Sequence, residues 1–165
     1  MSALEKLKKI PGWIRDNKID VLVVVGWVVT VTLIVSRAYW LFYGYLNVKY
    51  PTVIYCGWEA PSLSGIDLLL LLASSFIAGI ILSDISQIIY GYVISMLLSS
   101  SITIISIVLY RWFIQGGVFT LVPYGWESLI YYVFMNIFWM MLPMGILWSF
   151  LGVLLGGLLK QWLYL

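Results

Sequence analysis

The run VLVVVGWVVTVTLIV, residues 21–35, contains no charged side chain and no proline. A helix rises about 1.5 Å per residue, so about 20 apolar residues cross a hydrocarbon core of about 30 Å. The run reaches that length if Arg37, just beyond it, extends its guanidinium to the headgroups. We therefore predict a transmembrane helix over residues 21–38. The aromatic residues that follow, from Tyr39 to Tyr45, are typical of a membrane interface.

The composition of the whole chain also indicates a membrane protein. Of its 165 residues, 63% are hydrophobic and 10% are charged, whereas soluble domains carry about 25% charged residues. Three further apolar runs predict spans at residues 64–83, 85–110 and 128–159, and few polar residues separate the second span from the third. The last run is too long for one upright crossing. Either Pro143 kinks it, because proline removes a helix hydrogen bond, or its end lies along the inner interface.

A repeated pattern suggests that the four helices form two similar helical hairpins. Each copy has an arginine, Arg37 or Arg111, followed by aromatic residues and later by Gly-Trp-Glu, which ends at Glu59 or Glu127. We predict that Arg37 pairs with Glu59 and that Arg111 pairs with Glu127 at the outer surface. Their role is expected to be structural, because ionisable groups at interfacial depth pay a small burial cost. The interfacial aromatic residues of the two copies are Trp40, Trp58, Trp112 and Trp126.

Basic residues predict the orientation in the membrane, because Lys and Arg concentrate in cytoplasmic loops. Their distribution places both termini in the cytoplasm. Residues 1–20 are then a cytoplasmic segment and residues 21–165 a single four-helix domain. Ser2 and Glu5 have capping-box spacing, so a short amphipathic helix is predicted near the N-terminus, with a charged tail as the alternative. The cytoplasmic set is Lys6, Lys8, Lys9, Arg15, Lys18 and Lys160, against Arg37, Lys49 and Arg111 outside.

Small residues spaced four apart predict where the helices pack, because membrane helices associate through close backbone approach. The stripe on the third helix is expected to meet Ser75 and Gly79 of the second helix. The glycines of the last helix predict either internal packing or docking to a partner. The valine-rich first helix is expected at the periphery of the bundle. The positions are Gly91, Ser95 and Ser99 on the third helix and Gly145, Gly152 and Gly156 on the last.

The sequence shows no motif for catalytic or cofactor chemistry. It has no histidine, the commonest metal ligand and general base, and its single cysteine, Cys56, cannot form an internal disulfide. Met140, Met141 and Met144 could share a helix face, but without Cys or His they favour packing over copper binding. The sequence also lacks a phosphate loop, a nucleophile motif and an intramembrane carboxylate pair. We therefore expect no enzyme activity, no cofactor, no metal and no nucleic-acid partner.

These features favour a non-catalytic accessory subunit of a larger multi-subunit complex in the cell membrane. Its expected partners are other integral-membrane subunits and membrane lipids. Size and the missing ligand chemistry favour a respiratory or other energy-transducing, electron-transport complex. Two alternatives stay open: a small homo-oligomeric transporter or channel, which repeated hairpins suit, and a lipid-binding, membrane-shaping protein. The Ile-, Tyr- and Trp-rich composition without histidine also suits a thermophile.

Overall fold

The computed structural model describes residues 18–49, 61–82, 84–114 and 126–163. These segments are helical almost throughout and contain no strand, which confirms the all-α prediction for this part of the chain. The predicted N-terminal amphipathic helix lies outside the described residues. The helices are α1 Lys18–Lys49, α2 Gly65–Ile81, α3 Ile85–Leu109, α4 Trp126–Met140 and α5 Ile146–Leu163. Short π-helical turns, Tyr110–Ile114 and Met141–Gly145, follow α3 and α4.

Three stretches within the described segments are long and apolar enough to cross a membrane: Lys18–Gly44, Ile85–Leu109 and Ile130–Leu163. Helix α2 is also apolar, but its 17 residues extend only about 26 Å. Large apolar side chains cover the outward faces of the helices, and Leu22, for example, is 73% exposed. Soluble monomers rarely expose apolar surface on this scale. The three long apolar helices therefore indicate a multi-pass membrane protein.

Helix α1 continues well beyond residue 38, the end of the predicted span. No proline occurs between Lys18 and Pro51, and Gly44 has open space around it, so nothing in this segment interrupts the helix. The aromatic residues therefore lie on α1 itself. The ring centroid of Trp40 lies 5.5 Å from that of Tyr39 and 5.0 Å from that of Tyr110, just after α3. These ring contacts hold the ends of α1 and α3 together.

Helix α1 packs against three other helices along a continuous buried face, which differs from the expectation of a peripheral first helix. It contacts α2, α3 and α4. Its buried side chains recur at three- and four-residue spacing, which places them on one face of the helix. Branched and aromatic side chains can interdigitate there without small residues. The buried set is Trp27, Val28, Val31, Ile34, Val35, Ala38 and Tyr39.

The helices pair in a definite direction. Arg37, in the second half of α1, meets Asp67 in the first turn of α2, so these two helices are antiparallel. A Cβ built at Gly91, near the start of α3, would lie 3.1 Å from Val24 near the start of α1. Helices α1 and α3 therefore run parallel, and the stripe on α3 faces α1. Helix α2 packs most extensively against α5, so the predicted contact between the small residues of the second and third helices is wrong.

The last apolar run is divided into two helices. Leu142 has φ −99° and ψ 136°, an extended conformation, directly before Pro143. Proline lacks an amide hydrogen and disfavours helical geometry in the preceding residue, so the expected kink is a complete break. Helix α4 packs against α3, whereas α5 packs against α2. Met140 and Met141 are buried beside the break but Met144 is 54% exposed, so the three methionines do not share one face.

Candidate functional site

An ion pair joins α1 to the beginning of α2. The Nη1 atom of Arg37 lies 2.6 Å from the Oδ1 atom of Asp67. The Asp67 side chain is 2% exposed, while that of Arg37 is 51% exposed. The carboxylate is therefore enclosed by protein and the guanidinium lies at its boundary.

The local sequence around Ser64 builds the other half of this site. Ser64 is the N-cap of α2, and Asp67 stands three residues later. The backbone amide and the hydroxyl of Ser64 donate to Oδ2 of Asp67 at 3.1 and 2.6 Å. The amide of Asp67 donates back to the hydroxyl oxygen of Ser64 at 3.2 Å. This reciprocal capping box orients the Asp67 carboxylate independently of the ion pair with Arg37.

The Asp67 carboxylate lies at a helix beginning and has hydrogen-bond donors on both oxygens. Asp67 lies in the first turn of α2, where the positive end of the helix dipole stabilises an anion. Both of its oxygens accept hydrogen bonds, Oδ1 from Arg37 and Oδ2 from Ser64. A buried carboxylate without such partners would be strongly destabilising. The arrangement therefore links α1 to α2 and leaves neither carboxylate oxygen without a donor.

A second set of the predicted residues forms the interface between α2 and α5. The hydroxyls of Ser75 and Ser149 lie 2.6 Å apart, and both side chains are fully buried. A Cβ built at Gly152 would meet the backbone oxygen of Leu72, and one built at Gly156 would lie 3.1 Å from the Cα atom of Gly79. The backbones thus approach closely along two turns. Gly152 and Gly156 were expected either to pack inside the bundle or to dock a partner. In the structure both glycines pack inside the bundle, against α2.

The same interface extends toward both ends of α5. A Cβ built at Gly145 would lie 3.0 Å from Leu63, just before α2. The ammonium of Lys160 donates to the backbone oxygen of Leu82, the C-cap of α2, at 2.5 Å. Residue numbers increase along both helices in this series of contacts, so α2 and α5 run parallel. Membrane helices that pack this closely gain stability from dispersion and from interhelical hydrogen bonds.

Several residues of the predicted ion pairs and of the interfacial aromatic set lie outside the part of the chain that the structure describes. Glu59 and Trp58 lie outside the described residues, as do the side chains of Arg111 and Trp126. Of the four paired residues, Arg37 is the one with a described partner, and that partner is Asp67 rather than a residue of the Gly-Trp-Glu tripeptides. Glu127 is exposed. Trp112 is 40% exposed, and Trp40 joins the ring cluster on α1.

Sequence reasoning missed Asp67 as the partner of Arg37, although a signal was present. Ser64 and Asp67 have the spacing of a capping box, which marks a carboxylate at the beginning of a helix. In an antiparallel hairpin, the end of the first helix lies beside the beginning of the second. Asp67 is farther from Arg37 along the chain than Glu59 is, but its place in the first turn of α2 puts it beside the second half of α1. The contact between Ser75 and Ser149 had no comparable signal.

Among the described residues, no three His, Cys, Asp or Glu side chains form a group that could hold a metal ion. Comparison of the chain with protein-family models, curated proteins and solved structures found no match. The fold therefore defines the class, a multi-pass helical membrane protein. Its function has to be argued from the helices and their contacts.

Proposed function

We propose that this protein is a non-catalytic accessory subunit of a larger membrane complex, with four crossings and both termini in the cytoplasm. The helix directions support four crossings. Helix α1 is parallel to α3 and antiparallel to α2, and α2 is parallel to α5. Successive spans therefore run in opposite directions, which is the arrangement required of a chain that crosses the membrane four times. A respiratory or other energy-transducing complex is the preferred assembly, on the grounds of size and missing ligand chemistry.

One observation carries the proposal: the buried Asp67 carboxylate and the buried pair Ser75 and Ser149 make bonds that join one helix to another. Asp67 is bound by Arg37 and Ser64, and Ser75 is bound by Ser149. On α3, the hydroxyls of the small-residue stripe donate to carbonyl oxygens of the same helix. A transport path or catalytic centre needs polar groups that can exchange partners. In this bundle Asp67, Ser75 and Ser149 bond to other protein groups, which supports a structural role for the chain within a larger complex.

The surface that best suits a partner is a groove between α1 and α2, with a volume of about 370 Å³. Gly26 lines it, and a Cβ built there would find nothing within 4 Å. The hydroxyls of Thr30 and Ser74 donate to carbonyl oxygens of their own helices. The indole nitrogen of Trp27, which also lines the groove, is buried without a hydrogen-bond partner. A glycine inside a helix costs about 0.5–1 kcal/mol relative to alanine. Close approach of a partner's transmembrane helix would compensate for that cost.

The test is purification of the tagged chain from its native membrane in mild detergent, followed by native electrophoresis and mass spectrometry. Gly26→Leu places a large side chain in the groove, from a Cβ position that has nothing within 4 Å. Val29→Leu is the matched control, because Val29 is also exposed on α1 but does not line the groove. We expect the parent and Val29→Leu to migrate with other membrane subunits and Gly26→Leu to lose at least nine-tenths of them.

Two outcomes would contradict the proposal in different ways. A parent chain that migrates alone, or only with copies of itself, excludes the accessory role. A Gly26→Leu variant that keeps every partner excludes the groove as the docking surface.

A homo-oligomeric transporter is the second candidate, and the break at Leu142 favours it. Broken helices at membrane depth form the binding sites of many transporters. Against it, α2, the corresponding helix of the first hairpin, is continuous from Gly65 to Ile81. Purified protein in sealed vesicles should show no solute or ion flux above protein-free vesicles. A flux that depends on the protein would reverse the order of the two candidates.

A further inference from the structure

A second groove lies between the beginning of α3 and the length of α5, at the end of the bundle where α2 stops. Its volume is about 640 Å³, within the range of small-molecule sites. Ile88 and Val153 are buried and form its floor, whereas Ile89, Leu154 and Leu158 are exposed walls. The remaining lining residues are Asp84, Ile85, Phe150, Gly157, Lys160 and Gln161.

The groove is polar at one end and apolar along the rest of its length. Asp84, Lys160 and Gln161 form the polar mouth. Phe150 lies at the other end, where its ring packs against Tyr92 with centroids 5.6 Å apart. From Phe150 to Gln161 the helix rises about 16 Å. This is close to half of a hydrocarbon core of about 30 Å, which is the depth of one leaflet.

The mouth presents one charge of each sign. The bond from Lys160 to the backbone oxygen of Leu82 holds its ammonium beside the end of α2. Asp84 precedes α3 as its N-cap, is exposed, and its carboxylate makes no capping hydrogen bond. A ligand that carries a negative and a positive group side by side is complementary to this pair. A ligand with only negative groups would meet the carboxylate as well as the ammonium.

We propose that this groove binds one phospholipid of the surrounding bilayer, and specifically a zwitterionic lipid with a primary amine, such as phosphatidylethanolamine. One acyl chain lies along the apolar wall toward Phe150. The phosphate meets Lys160 and Gln161, and the amine meets Asp84. A cationic side chain between transmembrane helices attracts the phosphate of a lipid headgroup. The proposal rests on placement in a membrane and not on the accessory role.

The experiment is native mass spectrometry of the full chain in mild detergent, with equimolar phosphatidylethanolamine and phosphatidylglycerol added. Leu154→Trp blocks the apolar wall. Leu151→Trp is the matched control, because Leu151 is similarly exposed on the same helix but does not line the groove. Asp84→Asn removes the negative charge and Lys160→Gln the positive one. Helicity by circular dichroism shows that each variant is folded.

We expect one phosphatidylethanolamine to stay bound to the parent and to Leu151→Trp, with at least a tenfold loss in Leu154→Trp. Lys160→Gln should lower binding of both lipids several-fold. Asp84→Asn should shift the bound ratio at least threefold toward phosphatidylglycerol. The proposal is overturned if the parent retains no lipid, if the two tryptophan variants bind equally, or if Asp84→Asn leaves the ratio unchanged. Loss of a protein partner in Leu154→Trp without loss of lipid would make the groove a helix-docking site instead.

Discussion

Replacement of Gly156 by alanine adds one methyl group at the point where α2 and α5 approach most closely. That methyl would meet the backbone oxygen of Phe76 and would lie 3.1 Å from both the Cα atom of Gly79 and the amide nitrogen of Ile80. All three are backbone atoms, so no side chain can rotate away to make room. The two helices have to separate, and Gly156→Ala should therefore destabilise the bundle.

The size of the effect follows from two contributions. Overpacking of a close contact costs about 1–3 kcal/mol. Separation of the helices by about 1 Å also stretches the 2.6 Å bond between Ser75 and Ser149. An interhelical hydrogen bond in a membrane protein is worth about 0.6 kcal/mol on average and at most about 1.7 kcal/mol. We expect Gly156→Ala to lower the free energy of unfolding by about 2–4 kcal/mol, the sum of these two contributions.

Gly26→Ala is the matched control, since it makes the same chemical change on a helix of the same bundle. A Cβ at Gly26 has nothing within 4 Å. Alanine favours a helix over glycine by about 0.5–1 kcal/mol, so this variant should be as stable as the parent or slightly more stable. Unfolding by titration with sodium dodecyl sulfate in mixed micelles, followed by circular dichroism, measures both variants.

The two substitutions should therefore move the unfolding midpoint in opposite directions. If Gly156→Ala unfolds at the same detergent fraction as Gly26→Ala, α2 and α5 do not pack through their glycines and the described interface is wrong. If both variants are destabilised equally, the effect does not come from the close contact at Gly156.

The other predictions concern the ion pair and the orientation. Arg37→Gln leaves the buried Asp67 carboxylate with Ser64 alone, and we expect a loss of about 1–3 kcal/mol, below the 3–5 kcal/mol of a fully buried pair because Arg37 is half exposed. In a double-mutant cycle with Asp67→Asn, the double variant should lose less stability than the sum of the single variants; strict additivity would show that the two side chains do not interact. For the orientation, a membrane-impermeant thiol reagent applied from outside, with Cys56 replaced by serine, should modify Thr120→Cys and not Ser2→Cys, because basic residues flank the N-terminus. If the reagent modifies Ser2→Cys and not Thr120→Cys, the orientation in the membrane is the reverse of the one predicted.

The existence and approximate positions of the apolar helices could be predicted from the sequence because their causes are local, although α1 extends past the predicted end of its span. A run of apolar residues in lipid has to form a helix, since each backbone polar group needs a partner within the segment. The break in the last run is local too, because Pro143 constrains Leu142 directly. The capping box at Ser64 and Asp67 depends only on their spacing. Each of these features can be read from a short window.

The contacts between helices were decided by the tertiary structure. In lipid every face of a helix is apolar, so hydrophobic patterning does not mark the face that packs inward. The small-residue stripe of α3 was predicted to meet α2, but α2 packs against α5 instead. Glu59 and Asp67 were both within reach of Arg37 along the chain, and the antiparallel register of α1 and α2 brings Asp67 to it. Partner choice depends on the shapes of surfaces far apart in sequence, and the sequence by itself determined only the helices that carry those surfaces.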